Sequence, residues 1–273
     1  MQKVKQYRWA PSLGQFEESP EKVWGVVPYD PDSLEPCVFC GVYGLADFYA
    51  LWRYKGKRYV WWGGSDIRHL NDGYWLSNDN SIRLPPRPLA RWININCENW
   101  VENEAEYKAL HRLGIESNIA PSFLGDVGKF EVSFTQGNKV YSSVSGDDFE
   151  LYKWNDIDAL AKKHPEIEFH LYGNSVPWKT KNKNVIVHGR VPKEQFNEET
   201  SKMQGAIRLI PLDGFSEIIA KSVLVGQYPV SLISYPHTLS VSELGDIVKK
   251  KEPNYDGRNY YLRNLNKYPW SSN

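Results

Sequence analysis

Short apolar runs alternate with stretches whose apolar residues recur at helical spacing along most of the chain. In the first half VWGVV (23–27), CVFCGVYG (37–44), RYVWWGG (58–64), RWININ (91–96) and NIAPSFL (118–124) read as strands. They are rich in β-branched and aromatic residues and bounded by turn formers. LADFYALWRYKG (45–56) and NEAEYKALHRLGI (103–115) read as helices, the second closing on Leu-Gly, a left-handed stop. In the second half KVYSSVS (139–145), EFHLYGN (168–174), VIVHGRV (185–191), AIRLIPL (206–212) and YPVSLI (228–233) predict strands. NDIDALAKKH (155–164), PKEQFNEETSKM (192–203) and SEIIAKSVLVG (216–226) predict helices between them. Such alternation predicts an α/β fold of parallel sheets, doubly wound because crossovers are right-handed.

The polar run TQGNK (135–139) has no periodicity and marks a joint. The expectation is an N-terminal Rossmann-like domain over 1–136, a C-terminal one over 137–235, and a tail over 236–273 that packs across the domains. Two such domains facing one another leave a cleft at the carboxyl ends of their sheets, where ligands of this architecture bind.

Composition narrows the chemistry. Among 273 residues, 33 basic and 33 acidic side chains cancel, so no broad electrostatic grip on nucleic acid is expected. The aromatic share of 14% suits carbohydrate, since Trp and Tyr pair an apolar face with a polar handle. No stretch approaches the roughly 20 apolar residues that span a bilayer, and MQKVKQYRWAPSLG lacks a signal-peptide core, so a cytoplasmic protein is expected. KKKE (249–252) reads as a solvated helix end, with peripheral membrane contact as its alternative. Cys37 and Cys40 form a CxxC, but with only Cys97 left and no histidine nearby they read as buried strand residues rather than zinc ligands. DPD (30–32) has a metal-binding spacing but sits in a Pro-rich turn; no metal and no cofactor are expected. The glycine fingerprints of nicotinamide dehydrogenases, P-loop NTPases and α/β-hydrolases are absent.

The stretch IRLIPLDGFSEIIAKSVLVGQYPVSL (207–232) reads as strand, loop, helix and strand. Gly214 lets backbone approach a ligand, Ser216 is a good N-cap, and Glu217 follows in the first turn. The amides from Phe215 to residue 218 make an anion site suited to phosphate. Arg208, a charge inside the apolar run AIRLIPL, reads as a guanidinium aimed at that phosphate or as an ion-paired edge residue. In the first half WWGGSDIRHL (61–70) is the candidate loop: Gly63 and Gly64 allow close approach, Ser65 and Asp66 cap the next helix, and His69 follows. Asp66 either caps or acts on the acceptor side, bonding a hydroxyl or taking a proton. GVYG (41–44) offers a second glycine loop, and Asn99 and Trp100 lie near another strand end, where packing is the simpler role.

The second half resembles the retaining GT-B glycosyltransferases of the broad family 4 type. Their signature E-G-F-G-x-x-x-x-E-A-x-A-x-G-x-P-V is similar to Asp213-Gly214-Phe215-Ser216, then Lys221, Gly226 and Pro229-Val230. VIVHGRVPKEQF (185–196), PEIEFHLYGN (165–174) and SVSGDDFELYKWNDIDALAKKHP (143–165) resemble the segments that precede it, in the family's order. The resemblance implies that Lys153 contacts the donor diphosphate and that Asp213 stands where a glutamate contacts the sugar. It places the base and ribose by Gly189, Arg190 and Val191. Three departures stand out: Asp213 for the first glutamate, Lys221 where the second holds the ribose, and Asp147 where an arginine follows Gly146.

The expected function is transfer of a hexosyl or pentosyl group from a nucleoside diphosphate-sugar to a hydroxyl of a glycan, lipid or other acceptor, with retention and without metal. Lys153, Arg208 and helix-end amides would neutralise the departing diphosphate. Asp213 and Asp66 are the catalytic candidates. The alternatives are a nucleotide-sugar or glycan binding protein that lost catalysis, which Lys221 motivates, and a phage-type enzyme acting on DNA.

Overall fold

The structure, a computed structural model, describes residues 3–13, 19–76, 81–123, 125–214 and 216–270. The chain forms two compact units: Met1–Asp126 with Leu212–Phe215 and Asn264–Asn273, and Val127–Pro211 with Ser216–Arg263.

The first unit is built on a parallel six-stranded sheet: β1 (Gln6–Trp9), β2 (Val27–Pro28), β3 (Cys37–Cys40), β4 (Arg58–Trp61), β7 (Glu98–Val101) and β8 (Ser117–Ile119), in the order β2-β1-β3-β4-β7-β8. A short antiparallel pair, β5 (Tyr74–Trp75) and β6 (Arg83–Leu84), stands apart. The helices are α1 (Pro20–Trp24), α2 (Leu45–Arg53), α3 (Ser65–Asp72), α4 (Pro86–Asn96) and α5 (Glu104–Arg112). On one sheet face Phe39, Val60 and Val101 meet Leu51, Ile67, Leu70, Leu89, Ile93 and Leu110 from α2 to α5. On the other, Val38, Cys40, Tyr59 and Trp61 meet Trp24 of α1 and the C-terminal Tyr268 and Trp270. Trp24 stands edge-on to Trp61 at 5.8 Å and to Trp270 at 6.0 Å, and Trp270 stacks on Tyr268 at 4.7 Å.

The second unit carries another parallel six-stranded sheet: β9 (Lys139–Ser143), β10 (Glu168–Tyr172), β11 (Val185–Gly189), β12 (Gly205–Arg208), β13 (Val230–Ser231) and β14 (Leu239–Ser240), ordered β11-β10-β9-β12-β13-β14. Helices α6 (Trp154–Lys163), α7 (Lys193–Ser201), α8 (Glu217–Leu224) and α9 (Tyr255–Asn264) and a 3-10 helix (Val241–Lys249) cover it. The core joins Val140, Phe169, Leu171 and Ile207 to Trp154, Ile157, Leu244 and Ile247. Beneath the opposite face Gln227 is fully satisfied: its amide donates to the Thr200 and Met203 carbonyls, and its oxygen accepts from Ser222.

Two expected strands are corrected. The run 91–96 is the end of helix α4, begun by Pro86 at its first turn, with Leu89, Ala90 and Ile93 turned inward. Val23 and Trp24 belong to α1, which starts at Pro20 and stops at Gly25 in the left-handed region, leaving only Val27–Pro28 as strand. The strand Glu98–Val101 was not separated from its neighbours by the apolar pattern. The first unit ends at Asp126, ahead of the TQGNK run; Val127 to Phe134 packs with the second unit, where Ser133 donates to Val225 and Arg258 to Phe130. The residues expected as a tail carry β14, the 3-10 helix and α9. Cys37 and Cys40 face opposite sides of β3, and burial pushes both thiols up. Among the described residues no helix is long and apolar enough to cross a membrane.

Trp270 is fully buried, and truncation leaves a cavity beneath Trp24 and Tyr59. Trp270→Ala is expected to remove about 3–5 kcal/mol of unfolding free energy, read by urea denaturation.

Candidate functional site

In the second unit the chain runs outward through β9, β10 and β11, then returns to pair β12 with β9 and runs outward the other way. Ligand crevices of open α/β sheets form at such a reversal, outside the carboxyl ends of the strands. The loop after β9 ends in Tyr152 and Lys153, and Arg208 is the last residue of β12. The Arg208 guanidinium lies 4.5 Å from the Tyr152 ring centre, so the structure brings Arg208 to the turn that carries Lys153. Lys153 is the N-cap of α6 and is held at φ 58°, a left-handed conformation that costs a non-glycine residue about 1 kcal/mol. Asp147, also left-handed at φ 55°, accepts from the Ser175 amide at 2.6 Å and ties the loop after β9 to the loop after β10.

Gly189 closes β11 at φ 77°, and its carbonyl accepts from Gly173 at 2.8 Å; Arg190 is exposed beyond it and Val191 half-buried. Ser216 is the N-cap of α8, but its hydroxyl makes no capping bond. Lys221 pairs with Glu217 at 2.9 Å within the same helix. Phe215 lies outside the described residues.

In the first unit, Leu212 to Gly214 packs on the carboxyl edge of the sheet. Arg68 of α3 donates to the Leu212 carbonyl at 2.6 Å, and Asn103 to the Asp213 carbonyl at 2.8 Å. Gly64 sits at φ 83°, and a methyl group there would stand 2.6 Å from the Gly214 nitrogen. A methyl group on Gly214 would strike the Glu102 carboxylate. Both glycines therefore permit a backbone approach that a side chain would prevent.

Asp66 does not cap α3; Gly64 occupies the N-cap and Asp66 stands inside the first turn. Its carboxylate is fully buried and accepts from the amides of Val42, Gly63 and Ile67. It clamps the loop after β3 to the loop after β4. Burial outweighs those donors and pushes its pKa up to about 7. Ser65 bonds the Tyr43 hydroxyl at 2.9 Å. His69 is exposed, edge-on to Tyr43, and lines a cavity of about 250 Å³ with Tyr43, Gly44, Asp72, Trp75 and Arg83. Asn99 accepts from the Trp62 indole, and Trp100 packs on Tyr268 and Trp270, so both serve the core. Asp30 accepts from the Asp32 amide in a local turn. Among the described residues no group of three or more His, Cys, Asp or Glu is arranged to hold a metal.

The sequence pattern missed a buried acidic group at this edge. Glu102 accepts from the Ser122 hydroxyl in a short contact, and Glu106 accepts from the Glu102 amide at 2.7 Å. The other Glu106 oxygen is buried without a hydrogen bond. Burial, then the charge of Glu102, pushes the Glu106 carboxyl well up, which favours the neutral acid. The one legible signal was the Asn103-x-x-Glu106 spacing of a helix start. Asn103 caps α5 by accepting from Ala105 and Glu106.

No protein-family profile matches this chain, and no curated protein sequence matches it. Solved structures do. The lipopolysaccharide outer core galactosyltransferase WaaB matches with a TM-score of 0.59 at 8% identity, over 88% of this chain and 74% of that one. Sucrose-phosphate synthase from Thermosynechococcus elongatus matches with a TM-score of 0.58 at 11% identity, over 85% and 69%. A mutant form of S. aureus TarM, in complex with Fondaparinux, alpha-GlcNAc-glycerol and UDP, matches with a TM-score of 0.55 at 12% identity, over 84% and 52%. The chain thus spans about half the length of the TarM chains it matches. These likenesses, with two parallel six-stranded sheets, define the fold as that of the GT-B glycosyltransferases.

The ordinary aspartate value is 3.8, and folded Asp66 keeps its proton to about 7. Between those values the folded state binds more protons than the unfolded one, so this group's contribution to stability is full below the window and falls as pH rises through it. Asp66→Asn is expected to flatten that part of the stability–pH curve relative to the parent. It also costs about 1–3 kcal/mol at pH 5, because its NH₂ would face a backbone donor. Urea denaturation of both proteins across the window checks this.

Proposed function

We propose that this chain is a glycosyltransferase of the retaining family 4 type, moving a hexosyl or pentosyl group from a nucleoside diphosphate-sugar to an acceptor hydroxyl. The observation that carries the reading is the meeting of Arg208 with the Tyr152–Lys153 turn at the reversal point of the second sheet. Cleaving a sugar from its nucleotide leaves growing negative charge on the diphosphate, and preorganised cations lower that barrier. Lys153 supplies a compact charge, Arg208 a planar donor fork, and the first amides of α8 further donors. This charge neutralisation is metal-independent.

Asp213 takes the sugar-facing part of the signature, and Gly64 and Gly214 keep the backbone around it thin. Asp66 acts through the loops it clamps rather than by touching substrate. Gly189 ends β11 and Arg190 and Val191 follow it at the carboxyl edge of the second sheet, where they take the base and ribose. The cavity beside His69 and Trp75 takes part of the acceptor. A second reading has one observation in its favour: Lys221 is engaged with Glu217, which leaves the usual ribose contact to another group and fits a nucleotide-sugar binding protein.

Incubation with UDP-, GDP- and ADP-sugars is expected to give slow donor hydrolysis with at least one of them. Nucleotide binding without turnover on any donor, with or without acceptors, selects the binding protein instead. Lys153→Ala is expected to weaken donor binding about tenfold, read by calorimetry, as loss of a charge-assisted contact requires. An unchanged affinity removes Lys153 from the site.

A further inference from the structure

Helices α2 and α4 are neighbours over the same sheet face, where Phe48 meets Trp92 edge-on at 5.4 Å. On α4 the inward residues are Leu89, Ala90 and Ile93, and at 100° per residue Arg91 and Ile95 point away from them, with Arg87 toward the same side. On α2 the inward residues are Asp47 and Leu51, and Tyr49, Trp52 and Arg53 point away. The outward positions of an ordinary surface helix are polar. Here Ile95 is 69% exposed, Tyr49 56% and Trp52 52%. An open groove of about 470 Å³ runs along α4 beside Arg87, Pro88, Arg91, Trp92 and Ile95.

The charge of these segments is as one-sided as their apolarity. The chain is neutral overall, yet α4 contains no acidic residue. The one acid of α2, Asp47, is buried and bound to Arg8 at 2.7 Å. Arg53, Lys55, Arg87 and Arg91 are exposed, while Lys57 is paired with Glu98 at 3.0 Å. Exposed Trp, Tyr and Ile between exposed cations is the chemistry of a helix face lying on a charged bilayer, with rings at headgroup depth and cations on the phosphates. Single-stranded nucleic acid also takes cations and rings. It has no use for exposed aliphatic groups, which Ile95 and Pro88 supply.

We propose that the outward faces of α2 and α4 dock this protein on an anionic lipid surface. The basic run at 249–252 has no part in it: Lys249 is paired with Asp246, and Lys250 lies over Tyr228. The proposal stands on this surface alone and survives or fails independently of the transferase reading.

Sedimentation with vesicles tests it, using phosphatidylcholine alone and phosphatidylcholine mixed with phosphatidylglycerol. Binding to the mixed vesicles is expected to be at least about tenfold tighter and to weaken with added salt. Arg87→Glu with Arg91→Glu is expected to lower it at least about tenfold. Trp52→Ser with Ile95→Ser is expected to lower it as well, because the rings and aliphatic groups enter the headgroup layer. Both variants should keep the parent's melting temperature and circular dichroism, since none of these side chains reaches the core. Equal binding to the two vesicle types overturns the proposal, as does an unchanged Trp52/Ile95 variant. Tighter binding to a single-stranded oligonucleotide than to mixed vesicles overturns it in favour of a nucleic-acid surface.

Discussion

The carboxamide of Asn103 does two things at once, and the carboxyl edge of the first sheet depends on both. Its oxygen accepts the free amides that open α5, and its nitrogen holds the Asp213 carbonyl. An aspartate could do only the first, since an ionised carboxylate donates nothing, and a serine has too short a reach for both. The segment that carries Asp213 is thus held through its backbone, by a bond that makes no use of the Asp213 carboxylate. The acids gathered around that bond make the arrangement possible only if their charge is limited. Burial, and after it the charges of Glu102, Asp66 and Asp213, raise the cost of ionising Glu106 and favour its neutral form. A protonated acid in a dry pocket acts as a polar spacer rather than as a repelling charge.

The departures from the glycosyltransferase signature take on physical content in this light. Where an arginine would follow Gly146, Asp147 binds the amides of Ser175 and Val176 and joins two loops of the carboxyl edge. It trades a cation for a brace. Lys221, in place of an acid, is neutralised by Glu217 one turn earlier. The positive charge of the candidate donor site therefore rests on Lys153 and Arg208, which come from strands on either side of the reversal point. Arg208 reaches there with Tyr152 beneath its guanidinium, a cation–π contact that helps to hold the fork.

Most of the architecture was legible in the sequence because alternation of apolar strands with amphipathic helices leaves few topologies open. The strand after each helix of the second half lies within a few residues of its expected place. The misreadings have a common cause. RWININ and VWGVV look like strands in isolation, but Pro86 and Pro20 start helices a few residues earlier, and that local signal outranks the apolar alternation. Half of the candidate site was legible. Lys153, Asp213 and Gly214 came from a motif, and Arg208 from a charge out of place in an apolar strand. Glu102 and Ser122 gave no such sign, and Glu106 gave only the spacing of a helix start. What distinguishes them is burial against a distant loop, and burial of a polar residue is a property of the tertiary fold.

The division of the chain into units bears on the order in which the protein takes shape as it is made. The first unit contains the earliest residues, but its aromatic core is closed by Tyr268 and Trp270, and its carboxyl edge by Leu212 to Gly214. Leu212 to Gly214 come partway through the residues of the second unit, and Tyr268 and Trp270 only after all of them, so the first unit closes last. Until Tyr268 and Trp270 dock, the cluster of Trp24, Tyr59 and Trp61 lacks part of its cover, the kind of exposed apolar surface that makes a partly folded chain prone to associate.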